Sequence, residues 1–233
     1  MKLFLRSLGL WYLASLLRVC WRINSSTAYP EIFGDYESYH EAKETGDGER
    51  AVAIGHLIER RSRVADIGCG NGQIASYLQD QRECDVVGVD VSRTAAAKAR
   101  RLGIEVSVQD VNAGLRLPCP VDYVVLSEVI EHLQTPQKVL VDSADQARRG
   151  VVVTIPNSGW LPWRIQFLRG YWPRQSFTHL HFWTHADFVL FCRQLGLRIA
   201  RFSPVVPRGM IGGWLVRHFP NVFAYQLCYL VRR

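Results

Sequence analysis

At 233 residues with 48% apolar side chains, the chain can bury one α/β core of good size, and no internal repeat or low-complexity tract calls for a second. Six cysteines, at 20, 69, 84, 119, 192 and 228, form neither a Cys-x-x-Cys pair nor a zinc-ligand rhythm, which speaks against a zinc module or a disulfide framework and for free thiols in a reducing cytosol. The net charge of +7 is uneven: residues 23–145 hold 20 acids against 12 bases, residues 146–233 hold 12 arginines against the single acid Asp187, and such asymmetry suits an anionic substrate, a membrane surface or nucleic acid.

Residues 1–22 carry Lys2, Arg6, Arg18 and Arg22 and no acid. Between them, Ser7 to Leu17 is uncharged and mostly apolar, but shorter than the roughly 20 residues needed to span a bilayer. Arg18, Trp21 and Arg22 stand where a signal peptide would have small residues. The pattern predicts either an interfacial helix, with Trp11, Tyr12 and Trp21 at headgroup depth, or a helix packed on the protein's own body. The first option implies a cytoplasmic protein held peripherally on the inner membrane face through residues 1–22. The segment 24–48 is polar and contains Tyr29, Tyr36 and Tyr39.

A helix is expected from Glu49 to Arg60, then a strand, Val64-Ala65-Asp66-Ile67. The chain turns on the alternating glycines Gly68, Gly70 and Gly72 into a helix starting near Gln73, with Ile74, Ala75 and Leu78 on its inner face. Glycines let backbone approach a ligand where a Cβ would clash, and a helix N-terminus offers free N–H groups to an anion. Cys69 reads as a small side chain packed beneath the turn, not a nucleophile. Val86-Val87-Gly88-Val89-Asp90 is an apolar strand closed by an acid, placed where a ribose-binding carboxylate belongs, roughly 20 residues beyond the turn. A dinucleotide site would want a small residue where Gln73 stands, which disfavours NAD.

A helix over 92–102 and a strand over 105–108 lead to Asp110, in place to meet the exocyclic amine of an adenine. Strand four, 122–126, runs into Glu128, Glu131 and His132, whose i, i+3, i+4 spacing would put all three on one face of a helix. A helix over 136–148, a strand over 151–155, a helix over 186–196 and strands over 197–203 and 223–231 complete the pattern, with 204–221 expected to be an irregular excursion. Alternation of this kind requires right-handed crossovers and a parallel sheet covered on both faces. Residues 159–185 interleave Trp160, Trp163, Tyr171, Trp172 and Trp183 with Arg164, Arg169 and Arg174, a mixture that suits a phosphate-bearing lipid, a glycoconjugate or a nucleic acid.

In order and spacing, these stretches resemble the motifs of class I S-adenosylmethionine (SAM) dependent methyltransferases over about residues 63–157. Ile155-Pro156-Asn157, the tract 164–173, and His181-Phe182-Trp183-Thr184 followed by Phe188 extend the likeness to the MetW-like branch and the ubiquinone-type O-methyltransferases. The resemblance implies a Rossmann-like seven-stranded sheet with helices on both faces and an antiparallel last strand. Residues 1–48 would then be an N-terminal helix and cofactor-covering segment, residues 49–233 the methyltransferase domain, and 159–185 and 204–221 substrate-side insertions. It also implies SAM as cofactor, with Asp66, Gly68 and Gly70 around the methionine portion, Asp90 and Val91 at the ribose, and Asp110 with Val111 at the adenine.

Transfer from a sulfonium needs the nucleophile held about 3 Å from the methyl carbon with water excluded. His132 is the first choice for a base or substrate orienter, with Glu128 and His181 as further catalytic candidates. The Glu-x-x-Glu-His pattern resembles that of ubiquinone-type and small-RNA 2′-O-methyltransferases, in some of which it holds a divalent metal with a later histidine, here His179 or His181, but SAM chemistry does not require one and no metal is assigned. The expected activity is methyl transfer to an oxygen of a small or lipid-linked anionic acceptor. The competing expectation is a MetW-like regulatory partner without turnover; a nucleic-acid methyltransferase ranks third.

Overall fold

The computed structural model describes Leu13, Ala14, Leu16, Leu17, Cys20 and residues 48–170, 178–205 and 210–233. Its centre is a seven-stranded sheet in the order β3-β2-β1-β4-β5-β7-β6. The strands are β1 (Arg63–Ile67), β2 (Asp85–Asp90), β3 (Glu105–Val108), β4 (Val121–Ser127), β5 (Ala147–Pro156), β6 (Arg198–Pro204) and β7 (Gln226–Arg232). All are mutually parallel except β7, which runs antiparallel to both of its neighbours.

The strand sequences explain the two-sided burial, because their near-continuous apolar runs send alternate residues to opposite faces. Ala65, Ile67, Val87, Val89, Val124, Leu126, Val151 and Val153 enter one core. Val64, Val86, Tyr123, Val125 and Val152 enter the other. Helices α1 (Gly48–Gly55), α2 (Gln73–Arg82) and α3 (Arg93–Arg101) cover the second face through Ile54, Ile74, Leu78, Ala96 and Ala99. On the first face lie α4 (Pro136–Gln146), α5 (Leu161–Leu168), α6 (His185–Gln194) and α7 (Met210–His218), through Leu140, Trp163, Phe188 and Val216, with the short α8 (Pro220–Phe223) leading into β7.

Local chemistry sets several boundaries. Ser92 Oγ accepts from Ala95 N at 3.0 Å and starts α3. The expected helix over 186–196 begins at His185, because Thr184 and Asp187 form a reciprocal capping box. The helix expected to reach Arg60 stops at Gly55, which lies against the Tyr77 ring with no room for a Cβ. Residues 204–221, expected to be irregular, contain α7 and the start of α8, and residues 159–185 contain α5.

Of the N-terminal segment, the described residues are helical; Leu16 and Cys20 are buried and Leu13 packs on the same core, whereas Leu17 is 61% exposed. Arg169 Nη1 donates to Cys20 O at 2.7 Å. One face of this helix is therefore packed on the protein's own body. Trp11, Tyr12, Trp21, the tyrosines of 24–48, and Tyr171, Trp172 and Arg174 lie outside the described residues. Among the described residues no helix is long and apolar enough to cross a membrane.

Candidate functional site

The parallel strands end at one edge of the sheet, and the chain order reverses between β1 and β4, where ligands of open α/β sheets bind. At that point Gly68 (φ 67°), Gly70 (φ 54°) and Gly72 (φ 83°) all lie in the left-handed region. Two of these glycines are also required sterically. A Cβ on Gly68 would lie 2.5 Å from Val129 Cγ2, and one on Gly72 would lie 2.9 Å from Ala99 Cβ in α3. Gly72 thus serves helix packing, while Gly68 brings the turn after β4 directly onto the glycine turn. Cys69 is buried against Gly88, and burial beside Asp66 and Asp90 pushes its thiol far above the usual range, so it is a packing residue.

Asp90 is 5% exposed, and its carboxylate is fixed from both sides: Gly70 N donates to Oδ2 at 2.7 Å and Ser92 N donates to Oδ1 at 2.8 Å. Each oxygen keeps a further lone pair for a ligand hydroxyl. Asp66 sits in β1 at 1% exposure. Next to Asp90, Val91 exposes its apolar side chain, and Val111 is buried at the start of a single 3-10 turn, Val111–Ala113. Asp110 caps that turn, accepting from Asn112 N (2.9 Å) and Nδ2 (3.1 Å). Asn112 Oδ1 in turn accepts from Gln134 N at 3.0 Å and ties this loop to the one after β4. A held carboxylate with spare lone pairs, flanked by apolar side chains and a second acid, is a set of acceptors that fits the hydroxyls and amine of a nucleoside.

After β4 the structure departs from the expected helix. Glu128 takes φ 56°, and only a 3-10 turn over Ile130–His132 follows before Pro136 opens α4. The left-handed residue breaks the helical phase, so Glu128 does not share a face with Glu131 and His132. Its carboxylate instead accepts from Gln226 Nε2 at 2.9 Å and lies 3.8 Å from Arg50 Nη1, while Glu128 N reaches Thr154 O at 3.1 Å.

Glu131 and His132 meet the segment 178–183 instead. Leu180 N and His181 N both donate to Glu131 O, at 2.7 and 3.1 Å. His132 Nδ1 donates to Thr178 O at 3.1 Å, and His181 Nε2 donates to Leu133 O at 3.0 Å. A carbonyl only accepts, so both tautomers are fixed: the lone pair of His132 is on Nε2 and that of His181 on Nδ1. His179 packs edge-on against His132, with ring centroids 4.6 Å apart. Burial, and secondarily the neighbouring His132, pull the pKa of His179 down to about 4. Ligand atoms of Glu131, His132 and His179 lie within 4.8 Å of one another, a set able to hold a divalent cation.

Beside these imidazoles is a small, partly open cleft lined by Ser158, Trp163, His179, His181, Phe182 and Trp183 among others. His181 stacks on Trp183 at 5.4 Å. The buried Asn157 holds the two insertions together: its Nδ2 donates to Ala224 O at 2.8 Å and to Asn221 O at 3.2 Å, and its Oδ1 accepts from Gly159 N at 2.9 Å.

Residues 49–231 match the family described as methionine biosynthesis protein MetW. The chain belongs to the MetW family. Among its relatives, it is 26% identical to the ubiquinone biosynthesis O-methyltransferase of Azoarcus sp. strain BH72, the match covering 64% of this chain and 70% of that protein. It is 25% identical to the bifunctional methionine biosynthesis protein MetXA/MetW of Rhodopirellula baltica over half of this chain and 20% of that much longer protein. Its fold matches an S-adenosylmethionine-dependent methyltransferase from Mesorhizobium loti with a TM-score of 0.56 at 16% identity, covering 79% of this chain and 98% of that one. The MetW-family chain has the class I fold and is a SAM-dependent methyltransferase.

Two polar side chains of this MetW-family site carry no sequence signal of their own. Arg50, in α1, and Gln226, in β7, are far in sequence from Glu128, and only the folded sheet brings them to it. The carbonyls of Thr178 and Leu133, which set the imidazole tautomers, are likewise invisible in sequence because every residue has one.

Proposed function

We propose that this protein transfers the methyl group of SAM to an oxygen of a small or lipid-linked anionic acceptor held in the cleft beside His132. The observation that carries it is the contact of the Gly68 turn with Val129, which sets the cofactor turn and the turn bearing His132 against one another. The oxygen acceptor is supported by the O-methyltransferase relative. Its negative charge is supported by the 12 arginines of residues 146–233.

When bound, SAM supplies an electrophilic methyl group. Asp90 accepts from the ribose hydroxyls through its remaining lone pairs, with Val91 beside it, and Val111 and Asp110 serve the adenine. Asp66, Gly68 and Gly70 accommodate the methionine portion, and Arg50 is the buried cation suited to its carboxylate. His132 Nε2 takes the proton of the acceptor hydroxyl, and His181 Nδ1 accepts from a second polar group and orients it. Glu128 positions Arg50. Trp163, Phe182 and Trp183 keep water from the reacting atoms.

The site works in the cytoplasm, with peripheral contact to the inner membrane face in which residues 1–22 take part. Isothermal titration with S-adenosylhomocysteine and a labelled-SAM assay on cell extract test the function. Absence of cofactor binding refutes it.

A second reading, a partner protein of methionine biosynthesis without turnover, is favoured by the family description and by the bifunctional MetXA/MetW relative. A stoichiometric enzyme partner, together with no labelled product, would support it over catalysis.

A further inference from the structure

Both insertions leave the same edge of the sheet, α5 after β5 and α7–α8 between β6 and β7, and they form one body. Asn157 joins them through Asn221 O and Ala224 O. Tyr225 touches both tryptophans that flank the start of α5, at 4.9 Å from Trp160 and 5.6 Å from Trp163. The N-terminal helix is fastened to the end of α5 through Arg169 and Cys20 O.

Helices α5 and α7 of this body carry large exposed apolar side chains beside their buried ones. In α5, Pro162 and Trp163 are buried while Phe167 is 60% and Leu168 84% exposed. In α7, Val216 is buried while Trp214 is 52% exposed, and Phe219 beyond it is 51% exposed. Leu17 adds its exposed side chain from the N-terminal helix. The same two helices carry Arg164, Arg169, Arg217 and His218, of which Arg164 and Arg169 also donate to Gly159 O and Cys20 O, and residues 146–233 contain no acid except Asp187, which belongs to the Thr184 capping box. Isolated exposed apolar residues are ordinary, but adjacent pairs of large ones, Phe167 with Leu168 and Trp214 with Phe219 (ring centroids 6.0 Å apart), on joined helices rich in bases are not.

We propose that this face docks on an anionic bilayer, with Phe167, Leu168, Trp214 and Phe219 entering the headgroup layer and the bases of these helices meeting lipid phosphates. The inference rests on the methyltransferase reading only in giving the dock a purpose: Trp163 and Phe182 line the cleft at the base of the same body, so an acceptor carried in a membrane reaches the cleft without crossing water. It also redistributes the membrane contact expected of residues 1–22. Leu13, Leu16 and Cys20 are turned inward, which leaves Leu17 as the described apolar contribution from that helix. Apolar insertion and attraction to anionic lipid reinforce one another at such an interface.

Co-sedimentation of the full-length protein with vesicles of phosphatidylglycerol and phosphatidylcholine tests it, with phosphatidylcholine alone as reference and S-adenosylhomocysteine titration run on the same samples. Wild type should pellet with the anionic vesicles and be partly released by high salt. The exposed-site variant Leu168→Glu with Trp214→Glu should bind about tenfold or more weakly, and Arg217→Glu should weaken binding only to the anionic vesicles, all with unchanged cofactor affinity. Wild type remaining in the supernatant refutes the dock, as does unaltered vesicle binding by the double variant. A stoichiometric protein complex that the same substitutions abolish, with no vesicle binding, assigns the face to a protein partner and also refutes it. Cofactor binding without vesicle binding removes the dock alone; vesicle binding without cofactor binding removes the methyltransferase site alone.

Discussion

Replacing Asp90 by alanine separates the two duties assigned to that carboxylate. In the protein alone it accepts two short backbone hydrogen bonds, from Gly70 N at 2.7 Å and Ser92 N at 2.8 Å, and at 5% exposure it is shielded from water. Hydrogen bonds to a charged group contribute about 1.5–3 kcal/mol each, and water entering the space left by alanine recovers part of this, so folding stability should fall by about 2–3 kcal/mol. The remaining lone pairs are those assigned to the ribose diol. Losing two hydrogen bonds of the same type removes about 3 kcal/mol of binding, a rise in Kd of roughly 100-fold. Denaturant unfolding measures the first effect and isothermal titration with S-adenosylhomocysteine, well below the melting temperature, the second. A Kd within about fivefold of wild type, alongside the lost stability, would show that Asp90 is a strut of the glycine turn and not a ribose ligand.

Gly72→Ala should destabilise by about 2–3 kcal/mol, since the residue is at φ 83° and the new Cβ would meet Ala99 at 2.9 Å; urea unfolding at unchanged m-value reads it. His132→Gln should lower kcat by at least about 100-fold with cofactor affinity intact, and equal losses in both would reassign the residue to cofactor binding. His179, with its pKa lowered from 6.5 to about 4, is neutral in the fold, while the unfolded chain takes up the proton first on acidification. Its contribution is therefore complete above pH 6.5 and is lost as pH falls toward 4, by about 2 kcal/mol for a ring that keeps some solvent access, and His179→Gln should flatten that part of the stability–pH curve. Dialysis against EDTA should leave turnover intact, because a sulfonium methyl needs no Lewis acid; loss of turnover that a divalent cation restores would make Glu131, His132 and His179 a metal site.

The sequence by itself was enough to place β1, β2, β4 and β5, because continuous Val/Ile/Ala runs leave no polar face for water and force a sheet covered on both sides. It was enough, too, to single out Gly68 and Gly70 with Asp90, whose spacing is a local property of a strand, a turn and a second strand. The arrangement after β4 was not legible. Glu128, Glu131 and His132 have helical spacing, but Glu128 N pairs with Thr154 O of the neighbouring strand and the residue turns through φ 56°, so a long-range ladder contact overrides the local period. Likewise the tautomers of His132 and His181 depend on carbonyls 46 and 48 residues away, and the pairing of Arg50 and Gln226 with Glu128 depends on α1 and β7 meeting the end of β4 in the folded chain. Spacing along the chain records which groups can be neighbours within a strand, turn or helix; which donor faces which acceptor across elements was decided by packing.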